Sequence, residues 1–310
     1  MIYAAPMELW IPITIAAAFL QNIRSAMQKH LKGRMGTTGA TFVRFGFGLP
    51  VACVYVLILI FGFGFELPVL NGTFAFWLVV AAIAQIAATF LLVYLFSFRN
   101  FTVGSAYSRS EPVQTAILAS LFFSEVLPVS ALLAIGITVV GVMLISVARP
   151  KERQRLTPLS LITSLGTRTA LIGLASGTLF GLSAVGYRAA ALSLQHEQFL
   201  MHAVTTLVVA IVLQTMVMLV WMILKDRDEI AKILSAWRPA LLVGFVGATA
   251  TFGWFSAFSL QQAAIVKALA QVEMIFTFAS SVFIFKEKVN RLEIIGCLLI
   301  VAGILVLFLA

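Results

Sequence analysis

The sequence has little of the charge that a soluble protein needs at its surface. Charged residues make up only 11% of its 310 residues, whereas a soluble domain contains roughly 25%. Hydrophobic residues reach 61%, above the soluble norm of ~45–50%. Such high hydrophobicity also excludes a disordered chain. The composition therefore predicts an all-α polytopic membrane protein.

The residues that most enzymes use for catalysis are also scarce. The only two aspartates, Asp226 and Asp228, share one polar stretch, which excludes a paired aspartyl mechanism inside the membrane. The three histidines, His30, His196 and His202, lack metal-ligand spacing, and neither a Gly-x-Ser-x-Gly motif nor a phosphate-binding loop occurs. We therefore expect no enzyme, no cofactor and no metal site.

Long apolar runs are what the sequence has in abundance. A helix needs about 20 apolar residues to cross ~30 Å of hydrocarbon. Ten such runs occur, at residues 9–27, 42–64, 74–98, 101–124, 129–148, 169–189, 200–224, 239–260, 263–285 and 292–310. Merging neighbours into eight spans would require runs of about fifty residues, far beyond a tilted crossing.

The ten predicted spans form two related sets of five. A shift of 162 residues superposes the halves without a gap and places Glu111 on Glu273 and Glu125 on Glu287. A repeat unit with five spans must insert its second copy upside down relative to the first. The sequence thus predicts two inverted five-helix repeats, at 1–148 and 169–310, joined by a linker at 149–168.

The net charge of +9 is distributed unevenly. Sixteen of the 21 basic residues fall in the connections after odd-numbered spans, and the even-numbered connections and both termini have none. Cytoplasmic loops collect Lys and Arg, so the odd connections are predicted to be cytoplasmic and both termini extracytoplasmic. The same distribution makes a nucleic-acid partner unnecessary. The connection at 225–238 is predicted to be a short amphipathic interfacial helix.

A few charged or amide side chains fall within the spans, where burial of a charge is costly unless it faces the bundle interior. Arg24, Arg44 and Arg188 lie near predicted span ends, and a structural pairing or snorkelling role competes with a functional one. Pro112 follows Glu111 and is expected to kink the fourth span. The candidates for a polar pathway are Arg44, Arg109, Glu111, Lys267, Gln271 and Glu273.

Helical geometry divides these candidates. Lys267 and Gln271 share a face of the ninth span, whereas Glu273 is rotated about 200° from Gln271 at ~100° per residue. They cannot all face one ligand if the helix is regular. Structural pairing between spans is therefore an alternative to a cavity role for Arg109, Glu111 and this set.

Two segments resemble a known family. Residues 110–145 (SEPVQTAILASLFFSEVLPVSALLAIGITVVGVMLI) and 271–308 (QVEMIFTFASSVFIFKEKVNRLEIIGCLLIVAGILVLF) are similar to the fourth-to-fifth and ninth-to-tenth spans of EamA-type members of the drug/metabolite transporter superfamily. The matching positions are Glu111-Pro112, Glu125, Gly141, Glu273, Glu287, Gly296, Gly303 and the Arg44-Phe45 pair. Met274 and Ala134 depart from the pattern.

The resemblance implies a ten-helix secondary transporter that exports amino acids, metabolites or drugs across the bacterial inner membrane by alternating access. Glu111 or Glu273 could exchange a proton, and facilitated diffusion is equally compatible. The expected partners are a small-molecule substrate and the lipid bilayer, with a monomeric chain as one option. Members of the family are often drawn with cytoplasmic termini, whereas the charge distribution here places them outside. The alternatives are a non-transporting scaffold and a lipid flippase or other lipid-acting membrane protein.

Overall fold

A computed structural model describes residues 9–98, 107–148, 166–283 and 291–308, and all regular structure in these ranges is helical. The first half contains α1 (Trp10–Leu31), α2 (Thr37–Gly46), α3 (Leu49–Leu57), α4 (Gly72–Leu95), α5 (Glu111–Phe123) and α6 (Val129–Ala148). The second half contains α7 (Arg168–Ser193), α8 (Phe199–Lys225), α9 (Asp228–Ser235), α10 (Trp237–Leu260), α11 (Ala263–Leu269), α12 (Val272–Phe283) and α13 (Arg291–Phe308). Most of the predicted linker and Glu287 lie outside the described residues.

Helix is present at each of the ten predicted spans, but only some of these helices could cross a bilayer unaided. Five segments are long and apolar enough, namely Thr37–Gly62, Gly72–Leu95, Arg168–Ser193, Phe199–Lys225 and Trp237–Leu260. The first of these joins α2, α3 and a π-helical turn. Helix α1 has 22 residues, enough for a crossing of ~33 Å, but its second half is polar. The count of ten crossings stays a prediction.

The shift of 162 residues that aligns the halves of the sequence also aligns their helix boundaries. It places the first residue of α2 on that of α8, the first residue of α6 on that of α13, and the last residue of α1 on that of α7. The most extensive helix contacts are α4 with α7, α6 with α13, and α1 with α10. Each joins one half to the other, so the halves are interleaved.

Side-chain size is distributed in the way that suits a lipid surround. Small residues such as Ala18 and Ala203 are fully buried between helices. Many large apolar side chains point outward, with Phe61 82% exposed and Leu121 72% exposed, although some, such as Phe45, are buried. Lipid tails are as apolar as leucine, so helices in a membrane gain from close contact through small residues rather than from burying large ones.

The contact between α6 and α13 depends on glycine at the crossing point. A Cβ added to Gly141 would lie 2.6 Å from the carbonyl oxygen of Gly296, and a Cβ on Gly296 would lie 2.6 Å from that of Gly141. Backbone cannot move aside as a flexible side chain can, so only glycine fits. Gly136, on the same helix α6, has open space around its Cα.

We expect Gly141→Ala to lower the Tm of the purified protein, because the new methyl group forces α6 away from α13. Gly136→Ala is the matched control, and it should leave the Tm unchanged or raise it, since alanine is favoured over glycine within a helix by ~1 kcal/mol. Thermal unfolding in detergent measures both. Equal Tm values for the two variants would contradict the close contact.

Candidate functional site

The helix predicted at 263–285 is broken. Helix α11 ends at Leu269, and α12 begins after a tight turn at residues 270–271. In this turn the amide of Gln271 donates to the carbonyl of Ala268 at 3.2 Å, and the amide of Glu273 donates to that of Ala270 at 3.1 Å. These bonds span three residues instead of four, which tightens the backbone as in a 3₁₀-helix. The ninth predicted span thus contains two helices joined by a turn, and the condition of a regular helix does not hold.

The first half has the corresponding turn. The amide of Ser110 donates to the carbonyl of Tyr107 at 3.1 Å, and α5 begins at Glu111 with Pro112 in its first turn. Proline lacks an amide hydrogen and is tolerated there because the first amides of a helix have no intrahelical partner. Pro112, which was expected to kink the fourth span, instead lies in the first turn of α5. The second half breaks at the equivalent place without a proline.

Both breaks place a glutamate in the first turn of a helix, and each glutamate binds a cation from the opposite half. The Glu111 carboxylate lies 2.7 Å from Nζ of Lys267, and the Glu273 carboxylate pairs with Arg109. Carboxylates are stabilised at helix N-termini, and Lys267 lies in the last turn of α11, where a cation is favoured. Four of the six predicted pathway residues thus form two ion pairs between the halves.

Gln271 lies in the turn between Lys267 and Glu273. It is 6% exposed, and its Oε1 accepts no hydrogen bond. The repeat places Gln271 on Arg109, so a residue with hydrogen-bonding capacity occupies the break in both halves. The break also changes the rotation between Gln271 and Glu273 that a regular helix would impose.

Aromatic rings extend the Lys267 site toward α1. The Lys267 ammonium lies 4.7 Å from the ring centroid of Trp254 and 5.8 Å from that of Phe258, both on α10. The indole nitrogen of Trp254 donates to Oε1 of Gln21 at 3.0 Å. A cation over a buried indole is a favourable arrangement, so the site is supported by α10 as well as by the broken helices.

Arg44 lies apart from these ion pairs. Its guanidinium donates to the hydroxyl of Thr89 at 3.0 Å and to that of Thr251 at 3.5 Å, and the residue is 4% exposed. The 162-residue shift places Thr89 on Thr251. Arg44 therefore bridges equivalent positions of α4 and α10, one in each half.

A buried polar network that the sequence did not predict lies on α4, α7 and α8. Tyr187 donates its hydroxyl to Oε1 of Gln85 at 3.0 Å, and Nε2 of Gln214 donates to the same oxygen at 2.7 Å. All three side chains are buried. Gln85 and Gln214 each lie within an apolar run of the sequence, and this was the signal that could have indicated the network. Helices α4, α7 and α8 thus contribute to the polar centre, whereas the predicted pathway residues lie on the second, fourth and ninth spans.

One end of the bundle is tied by Arg188 of α7. Its Nε donates to the carboxylate of Glu125 at 3.2 Å, and its Nη1 donates to the carbonyl of Gln261 at 2.6 Å. Helices α5, α7 and α10 are joined by these contacts. A cavity of about 260 Å³ lies beside them, lined in part by Trp77 and Phe123. We name this set of contacts the Arg188 latch.

The opposite end of α10 is tied by Glu229 of α9, the predicted amphipathic helix. The Glu229 carboxylate accepts from the amide of Gly36 at 2.6 Å and from that of Gly39 at 3.2 Å. Glycine cannot cap a helix with its own side chain, so a carboxylate from the other half caps α2. Helix α2 accordingly begins at Thr37, five residues before its predicted start. We name this contact the Glu229 latch.

The Glu229 carboxylate also binds Lys232 in the same helix, at 2.6 Å from Nζ. This hydrogen bond and the negative charge raise the pKa of Lys232. Glu229 is 2% exposed although its helix is short and amphipathic. The sequence predicted the helix but gave no indication that its acidic residue would be buried.

We expect Lys267→Met to lower the Tm, because it leaves the largely enclosed Glu111 carboxylate, 16% exposed, without a counter-charge. Loss of one partner costs about 3–5 kcal/mol in fully buried pairs, which sets the upper limit here. Adding Glu111→Gln should recover much of the loss, since no charge is then left alone. Lys225→Met removes an exposed lysine and serves as the control. Tm losses that simply add in the double variant would mean that the two residues are not coupled.

Comparisons with known proteins agree with this architecture. A solved structure titled "Crystal structure of protein" superposes with a TM-score of 0.69 at 15% identity, covering 97% of this chain and 96% of that one. Identity this low supports the fold alone. No match was found among curated proteins. The profile of the EamA-like transporter family matches residues 8–147 and again 167–309. The chain therefore belongs to the EamA-like transporter family and is a multi-pass membrane protein.

Proposed function

We propose that the chain is a secondary transporter that exports a small molecule across the bacterial inner membrane by alternating access. Its moving parts are two inverted five-helix units, 1–148 and 169–310, joined by the linker 149–168. The observation that carries this proposal is the reciprocal pairing of Glu111 with Lys267 and of Glu273 with Arg109 at two helix breaks. Discontinuous helices at the interface of two repeats form the binding sites of many secondary transporters.

The two latches support alternating access because they tie the halves together at opposite ends of α10. The Arg188 latch joins α7 of the second half to α5 of the first, and the Glu229 latch joins α9 of the second half to α2 of the first. Opening either end requires the breaking of one latch while the other holds. A scaffold protein would have no need for polar contacts of this kind through its whole length.

The charge distribution supports an orientation for this cycle. The Glu229 latch lies at the end where the basic connections gather, so we place it at the cytoplasmic face. The Arg188 latch and both termini then lie on the extracytoplasmic side. The partners in this proposal are a small-molecule substrate and lipid, with a monomer as the working unit and no nucleic acid.

Glu111 and Glu273 are the groups in this proposal that could couple transport to protons. Protonation of either one would remove the charge that its cation binds and would weaken a contact between the halves. Proton release on the other side would restore it. Facilitated diffusion needs no such change, so the two mechanisms differ in whether neutral glutamine substitutes can support uphill flux.

In proteoliposomes we expect Glu111→Gln and Glu273→Gln each to reduce substrate flux by at least ~tenfold. Loss of a group that transfers a proton commonly has an effect of at least this magnitude. Glu66→Gln, which changes an exposed glutamate in the loop before α4, is the control and should retain flux. Undiminished flux by both pathway variants would remove these carboxylates from the mechanism.

The inverted arrangement predicts that residue 310 and the linker at 149–168 lie on opposite faces of the membrane. Single cysteines introduced at these two places, after replacement of Cys53 and Cys297, should react with an impermeant maleimide from opposite sides of sealed vesicles. Labelling of both from one side would contradict the inversion and would remove the basis for alternating access between the halves.

A further inference from the structure

Two arginines lie side by side in the core with no acidic partner in the part of the chain that the structure describes. Arg24 of α1 is 2% exposed and Arg44 of α2 is 4% exposed. A Cβ built on Gly247 of α10 would lie 3.3 Å from Cδ of Arg24 and 3.5 Å from Cγ of Arg44. Both side chains therefore pack against Gly247, and the aliphatic parts of the two arginines share one narrow space.

The hydrogen-bonding capacity of this pair is not used up. Nε and Nη1 of Arg24 are buried and have no hydrogen-bond partner within the described ranges. Arg44 donates to the hydroxyl oxygens of Thr89 and Thr251, which are neutral acceptors. No ion pair among the described residues includes either arginine. A buried charge is stable only when it is paired and hydrogen-bonded, so this arrangement lacks a negative group.

The two glutamates at the helix breaks do not provide that group, because each already pairs with another cation. Glu111 pairs with Lys267, and Glu273 pairs with Arg109. Each of these pairs is neutral, so neither offsets the charges of Arg24 and Arg44. Two positive charges match one dianion or two monoanionic groups.

We propose that Arg24 and Arg44 form a binding site for an oxyanion group, a carboxylate or a phosphate, on the transported molecule. This inference rests on the proposed function, and it names the chemical class of its substrate. A guanidinium presents several N–H donors in a planar fork that matches these oxyanions, and such charge-assisted bonds are the stronger ones. Gly247 has no side chain to crowd the two arginine stems that pack against it.

The position of the site suits a transporter built from two halves. Arg44 bridges Thr89 and its repeat equivalent Thr251, so an anion bound there would contact α1 and α2 of the first half and the α4–α10 interface between halves. Gln21 lies one helical turn before Arg24 on α1 and binds Trp254, which carries the Lys267 ammonium on its face. The anion site and the ion pairs are thus linked through α1 and α10.

The test is thermal unfolding of the full chain in dodecyl maltoside, which contains no phosphate or carboxylate. Sodium phosphate and sodium succinate are compared with sodium chloride at equal ionic strength. We expect at least one of the two oxyanions to raise the Tm, because a ligand that binds only the folded state stabilises it. Arg24→Gln should weaken the apparent affinity by ~tenfold or more, since hydrogen bonds to charged groups are worth more than neutral ones.

The anion-free protein gives a second, independent measure. Replacing Arg24 with glutamine removes its repulsion of Arg44 and the cost of burying its charge. In chloride, Arg24→Gln should therefore have a Tm equal to or above that of the parent protein. A purely structural arginine would show the reverse. Arg34→Gln, which changes an exposed loop arginine, is the control and should leave both Tm values and the anion effect unchanged. If Arg24→Gln does not fold, Arg44→Gln and Arg24→Lys provide the same comparison.

Three results would overturn the site. The first is a Tm that neither oxyanion changes, and the second is an oxyanion effect that persists in full in both glutamine variants. The third is stabilisation by phosphatidylglycerol in mixed micelles but by neither salt, which would assign the pair to a lipid headgroup. A different result would separate this inference from the proposed function. If oxyanion binding depends on Arg24 but the protein shows no flux in proteoliposomes, the site is supported and transport is rejected.

Discussion

The cost of placing charge in a membrane governs how the two halves of this protein fit together. A carboxylate in a low-dielectric core is costly unless a cation lies against it, and Glu111 and Glu273 each have one. Neither half provides that cation for its own glutamate, because Lys267 and Arg109 each pair across to the other half. The halves are therefore not separable domains. The interleaved packing of α1 with α10 and of α4 with α7 brings these residues together.

The helix breaks follow from the same electrostatics. A carboxylate in the first turn of α12 and an ammonium in the last turn of α11 each lie at the favourable end of a helix dipole. One continuous helix would lose both effects, because its interior has no free amides or carbonyls. In the first half Pro112 reinforces the break by removing a backbone donor. The second half has Met274 there, so its break depends on the charges and on the tight turn.

The sequence was sufficient to predict the structural features that are set by a single segment of the chain. Apolar runs gave the helices, the recurrence of Glu111 at Glu273 gave the repeat, and the scarcity of charge picked out four residues that the structure brings into ion pairs. It did not predict partners, because whether Arg24 or Glu229 is buried depends on helices far away in the chain. Gly247 could not be recognised as the surface under two arginines, since a glycine in an apolar run is typical of any helix contact.

The two latches differ in strength, and the difference indicates which end of the bundle opens more readily. The side chains of Arg188 and Glu125 remain 17% and 21% exposed beside the cavity, so water can replace their contact at modest cost. Glu229 is 2% exposed and caps the amides of α2. Its release would leave the first amides of α2 without an acceptor. In a transport cycle the Arg188 end would therefore open first from this state, and the Glu229 latch would yield only after a change elsewhere in the core. The anion that we propose to bind Arg24 and Arg44 would be one such change, because these residues lie on α1 and α2, the helices joined by the loop that contains Gly36.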